Sequence, residues 1–140
     1  MEISGSASTS VNRARDVAQL LPRARRIRHE AAVWAVQHGC SLDFDALTII
    51  LAAKQASDGE ITCWTDDDVW HLWWVDLMTW CRMRQVPVPA QLACTFATFF
   101  RYLDDVDGFE PGSHPLAHLV GALDAAGAQP RHPSSHPVGS

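Results

Sequence analysis

Between Pro22 and Gly39 the apolar positions Ala24, Ile27, Ala31, Trp34 and Ala35, with His38, fall on one stripe. The spacing predicts a helix over 23–38, with Gly39 as its C′ stop. Ahead of it, Asn12 or Ser10 can cap a short helix over 13–21 that Pro22 kinks or ends. Ser41 or Asp43 caps "FDALTIILAAKQ", a helix over 44–56 that is apolar nearly all round from Ala46 to Ala53. A helix without a polar face belongs at the centre of a fold.

Thr65 followed by Asp66, Asp67 and Asp68 is a helix start, with a hydroxyl cap and carboxylates at the positive end of the dipole. That helix spans 66–84 and is broken by "QVPVP". A fourth covers 90–107, with Pro89 at its start, the stripe Leu92, Phe96, Phe99, Leu103 and Val106, and Gly108 as stop. A fifth covers 115–126, entered through Ser113 and Pro115, with Leu116, Leu119, Val120 and Leu123 facing inward and Gly127 beyond. No stretch alternates like a strand and no internal repeat occurs, so the expected fold is all-α, a compact bundle of about five helices. Residues 12–127 form the single domain, and the Ser-, Gly- and Pro-rich ends, 1–11 and 128–140, read as flexible tails.

The segment "WTDDDVWHLWWVDLMTWC" carries five of the six tryptophans. At about 100° per residue Trp70, Trp73, Trp74 and Trp80 share one face with Leu77, Met78 and Cys81, and core packing is their expected use. Val69, Leu72, Val75 and Met83 lie off that face and form a second apolar strip. Such a strip is the expected contact with a protein partner or a second copy of the chain.

Charge divides the chain unevenly. Residues 1–28 hold Arg13, Arg15, Arg23, Arg25, Arg26 and Arg28 against Glu2 and Asp16, a net of +4, while the remainder holds five basic and fourteen acidic groups, a net of −9. These six arginines are candidates for nucleic-acid phosphates, for an acidic partner, or for the protein's own acidic surface. On the 23–38 helix they encircle the first turn instead of lining a groove-facing stripe, which is unlike a recognition helix.

Local chemistry is sparse. Successive helical aspartates diverge, so capping accounts for Asp66, Asp67 and Asp68; Asp67 and His71 at i, i+4 are at most half of a metal site. In "YLDDVDGFEPGSH" a calcium-loop register puts Leu103 and His114 where carboxylates are required. His114/His118 and His132/His136 recur at i, i+4, but His114 precedes Pro115 outside the helix and the second pair belongs to the Pro-rich tail, so neither pair is expected in ligand geometry and neither metal nor cofactor is expected. Cys40, Cys63, Cys81 and Cys94 contain no CxxC pair and read as reduced thiols. No hydrolase, phosphate-loop or dinucleotide fingerprint occurs. The expected function is therefore a non-enzymatic, cytoplasmic helical interaction or regulatory module without membrane attachment. The alternatives are a nucleic-acid-associated regulator acting through 13–28, and a ligand binder or enzyme whose tryptophan-lined pocket includes His71 and Asp76.

Overall fold

A computed structural model of the chain describes residues 18–128. Its helices are α1 (Pro22–Gln37), α2 (Phe44–Ser57), a composite α3, α4 (Leu92–Asp105) and α5 (Leu116–Ala128). In α3 an α-helical turn, Asp66–His71, passes through a π-helical turn, Leu72–Asp76, and continues as Leu77–Arg84. Among the described residues there is no strand. No helix among them is long and apolar enough to cross a membrane. The all-α fold of five helices is thus the one the periodicity predicts. Of the short helix expected over 13–21, Ala18 is helical, whereas Gln19 takes φ 49° and Leu20 and Leu21 are non-helical; 13–17 lie outside the described residues.

The helix ends follow local chemistry. Pro22 occupies the first turn of α1, and Gly39, at φ 65°, closes its other end as Cys40 N–H reaches Ala35 O at 2.9 Å. Asp43 caps α2 by accepting from Ala46 N–H at 3.0 Å. Thr65 and Asp68 form a reciprocal capping box at the start of α3. At the end of α4 the left-handed residue is Asp107, φ 56°, one position before the expected Gly108. Gly108 N–H then bonds Leu103 O at 2.7 Å. A Cβ on Gly108 would meet Leu103 Cδ2 at 3.0 Å, so this glycine serves close approach. α4 starts at Leu92, with 90–91 spent on a turn instead of helix.

α2 is the central element, buried without interruption from Ala46 to Lys54 and packed against α1, α3 and α4. α5 covers α4 and the first turns of α3. Trp64, in the connector before α3, is fully buried and meets Phe96, Phe99 and Phe100 edge-on, with centroids 5.6, 6.3 and 5.2 Å away. Its indole N–H donates to Ile61 O at 2.8 Å, so the largest core side chain has no unmet polar group.

The π-turn decides which face of α3 is inside. At about 100° per residue the buried Val69, Leu72, Trp73, Leu77, Trp80 and Cys81 would spread over about half the circumference. A π-turn inserts one residue into the helix and turns everything after it back by roughly one residue's rotation. The same six then occupy about a third of the circumference. The expected division of α3 is corrected accordingly. Val69 and Leu72, assigned to the exposed strip, are buried, whereas Trp70, assigned to the core, is 44% exposed. Val75 and Met83 do lie outside, 45% and 72% exposed.

Candidate functional site

Between the C-terminal half of α2 and the outer face of α3 runs one groove with two unlike ends. At one end Lys54, Ser57, Asp58, Asp67, Asp68, Trp70, His71 and Asp76 surround a cleft of about 350 Å³. At the other, Ala53, Ala56, Val75, Thr79, Trp80, Met83 and Arg84 line about 310 Å³, and Ser57 and Asp76 border both.

The acidic end is built around a buried ammonium. Lys54 is only 2% exposed; its Nζ donates to both carboxylate oxygens of Asp58, at 2.9 and 2.7 Å, and sits 4.8 Å above the Trp64 ring. Asp68 Oδ2 is 3.9 Å away and also accepts the Thr65 N–H. With four carboxylates around one ammonium, the cleft keeps a surplus of negative charge, and it attracts cations. Across the mouth His71 Nδ1 lies 3.0 Å from Asp76 Oδ2. The two are five apart, a separation that points side chains away from each other on an α-helix and toward each other across the π-turn. Trp70 and Trp74, tilted with centroids 6.1 Å apart, border the same face. The cleft thus holds His71 and Asp76 beside one lining tryptophan, Trp70. Among the described residues, however, no hydroxyl or thiol is hydrogen-bonded to His71 as a nucleophile would be.

The apolar end presents Val75 and Met83 beside the buried Trp80, whose ring carries the Arg84 guanidinium 4.7 Å from its centroid. Charge thus runs from negative at Asp67 to positive at Arg84 along the groove. Of the strip Val69, Leu72, Val75 and Met83, the structure brings Val75 and Met83 together here and places Val69 and Leu72 in the core beneath.

Arg23 and Arg25 are exposed and Arg28 half-buried, yet all three bond within the protein. Arg23 donates to Thr62 Oγ1 at 2.9 Å and lies 3.7 Å from Glu110 Oε2; Arg25 donates to Leu20 O at 2.8 Å. Arg28 donates to Thr48 Oγ1 at 3.0 Å and lies over Phe44, 4.4 Å from its centroid. Arg26 is exposed on the same helix, and Arg13 and Arg15 lie outside the described residues. The Arg23–Glu110 contact is of the kind the acidic body offered as an alternative to nucleic acid, while the bonds to Thr62 and Thr48 tie α1 to its neighbours through hydroxyls.

A second cleft, about 580 Å³ between α1 and α4, includes Val33, Trp34, Tyr102 and Val106. Two of its polar groups are spent internally. Trp34 Nε1 donates to Asp105 at 2.8 Å and the Tyr102 hydroxyl to Glu30 at 3.0 Å. Burial, and after it the Glu30 carboxylate, pushes the Tyr102 phenol up to about 12. His29 and Gln37 complete the lining beside the apolar Val33 and Val106. The four cysteines are free, and burial raises the Cys81 thiol above its ordinary value, which makes it a poor nucleophile.

Sequence reasoning passed over Lys54, hidden in an apolar run, although Asp58 at i+4 signalled its partner. It also separated Asp66 from His114 and His118, expected outside ligand geometry. The structure gathers one ligand atom from each of the three within 4.8 Å of the others. No protein-family model, curated protein or solved structure matches this chain.

Proposed function

We propose that this chain is a non-enzymatic helical interaction module whose groove between α2 and α3 binds a basic amphipathic helix of a partner protein. The observation that carries the reading is the continuity of the acidic cleft with the apolar trough of Val75 and Met83, two side chains that the core does not use. An amphipathic helix supplies an apolar ridge at i, i+3/i+4 for the trough, and its basic residues meet Asp58, Asp67, Asp68 and Asp76. Electrostatic complementarity sets its direction, with the basic end at Asp67 and the other end at Arg84.

The test uses a synthetic Leu/Lys amphipathic helix and a Leu/Glu helix of the same pattern, with the change in tryptophan emission, to which the exposed Trp70 contributes, as readout. Saturable binding of the basic helix alone is expected, weakened by salt and by Met83→Glu. Equal binding of both helices, or indifference to Met83→Glu, removes the reading. A second reading, a small organic cation, is favoured by the four carboxylates around the cleft of about 350 Å³. It predicts that a linear diamine binds and that Asp76→Asn weakens it while Met83→Glu does not.

A further inference from the structure

We propose that Asp66, His114 and His118 form a Zn²⁺ site joining the first turns of α3 and α5. The three side chains come from distant parts of the sequence, yet a hydrogen-bonded seam fixes two of them. Glu110 N–H bonds Thr62 O at 3.0 Å, Trp64 N–H bonds Ser113 Oγ at 3.1 Å, and His114 N–H bonds Trp64 O at 2.8 Å. The 110–114 segment is thereby held along 62–64, and His114 is set beside the start of α3. His118 follows as the third residue of α5.

Helix capping does not account for Asp66. The capping box at this helix start uses Thr65 and Asp68, which leaves the Asp66 carboxylate for another purpose. Its Oδ1 is buried without a hydrogen-bond partner, although His114 Nδ1 is 3.1 Å away. That nitrogen also lies 3.0 Å from the Asp66 backbone nitrogen, so one imidazole nitrogen stands within reach of both the N–H and the carboxylate of Asp66. Asp66 Oδ2 is 4.0 Å from His118 Nδ1, and all three ligand atoms lie within 4.8 Å of one another.

Ligand atoms around tetrahedral zinc stand about 3.4 Å apart, given bonds of roughly 2.0–2.1 Å. The exposed His118 ring needs only a small rotation to reach that spacing. Two imidazoles and one carboxylate suit zinc-class ions over calcium or magnesium, which prefer all-oxygen shells. Three protein ligands leave the fourth position to water. Binding at His114 Nδ1 displaces one backbone N–H at a helix start, where such groups turn readily to solvent.

Calorimetric titration of the full, untagged chain with ZnCl₂ tests this, with Co²⁺ absorption as a second readout. One Zn²⁺ per chain is expected, and Co²⁺ should give visible bands of four-coordinate intensity. His118→Ala and Asp66→Asn should each weaken binding at least about tenfold, while the double variant His132→Ala/His136→Ala should bind as the parent does. His118 is exposed, so its variant retains the fold, which circular dichroism checks. Absence of saturable binding, binding unchanged in His118→Ala and Asp66→Asn, or loss in the double variant overturns the site.

Discussion

Lys54 and Asp58 form a lopsided pair: the ammonium is 2% exposed, and the carboxylate that holds it with both oxygens stands 41% exposed. Removing either partner therefore has unequal consequences. Asp58→Ala strands a buried charge with only Asp68 at 3.9 Å and the Trp64 ring beside it, and should cost about 2–3 kcal/mol. Lys54→Met keeps the buried stem and leaves Asp58 to water, so its cost should stay under about 1 kcal/mol. Urea denaturation of both variants checks the asymmetry. Equal losses would show that the pair acts as an ordinary surface bridge.

The π-turn gives a second test. Val75 is exposed within Leu72–Asp76, and deleting it removes the inserted residue while both flanks keep their rotation. The loss should be under about 1 kcal/mol. Thr79 is also exposed, but its deletion falls in the α-helical half and forces either Leu77 or Trp80 from the core. That loss should exceed about 3 kcal/mol. Comparable destabilisation by the two deletions would mean that the π-turn does not set the register.

Those two deletions also mark the limit of what periodicity reveals. Helix starts and stops were legible because their causes are local: Pro22 at the first turn of α1, Asp43 under α2, the Thr65/Asp68 box and Gly39 each act within four residues. Nothing within "HLWWVD" announces a π-turn. It arises because Val69 before it, Leu72 at its first position and Leu77, Trp80 and Cys81 after it all gain from facing the core, and one extra residue lets them do so. The connector "ITCW" was legible only as extended chain, yet three phenylalanines of α4 make Trp64 the centre of the core. The candidate sites were the least legible part. Asp66 meets His114 across 48 positions, and the groove pairs α2 with α3 through contacts that no spacing within either helix encodes.

The corrected faces of α3 predict opposite responses within one apolar strip. Val75→Glu and Met83→Glu replace exposed side chains and should change stability by less than about 0.5 kcal/mol. Leu72→Ala empties a buried site and should cost about 3 kcal/mol. Thermal or chemical unfolding of the three variants decides the matter. A large loss from Met83→Glu would place that residue inside, and it would remove the apolar end of the groove.

Tyr102 makes alkaline stability a property of one side chain. Burial first, then the hydrogen bond to Glu30 and its charge, raise the phenol from 10.0 to about 12. The folded state thus keeps a proton that the unfolded chain releases at lower pH. The stabilisation is complete below pH 10.0 and is lost as pH climbs toward about 12, an effect on the order of 2 kcal/mol. Tyr102→Phe removes this pH-dependent part, so the unfolding free energies of parent and variant should converge as pH rises across that window. Because the chain has one tyrosine, tyrosinate absorbance reports this group alone. Its midpoint should lie near 12 in the folded protein and near 10.0 in urea. Coincident midpoints would show that Glu30 and burial leave the phenol unperturbed, and the alkaline loss would then belong to other groups.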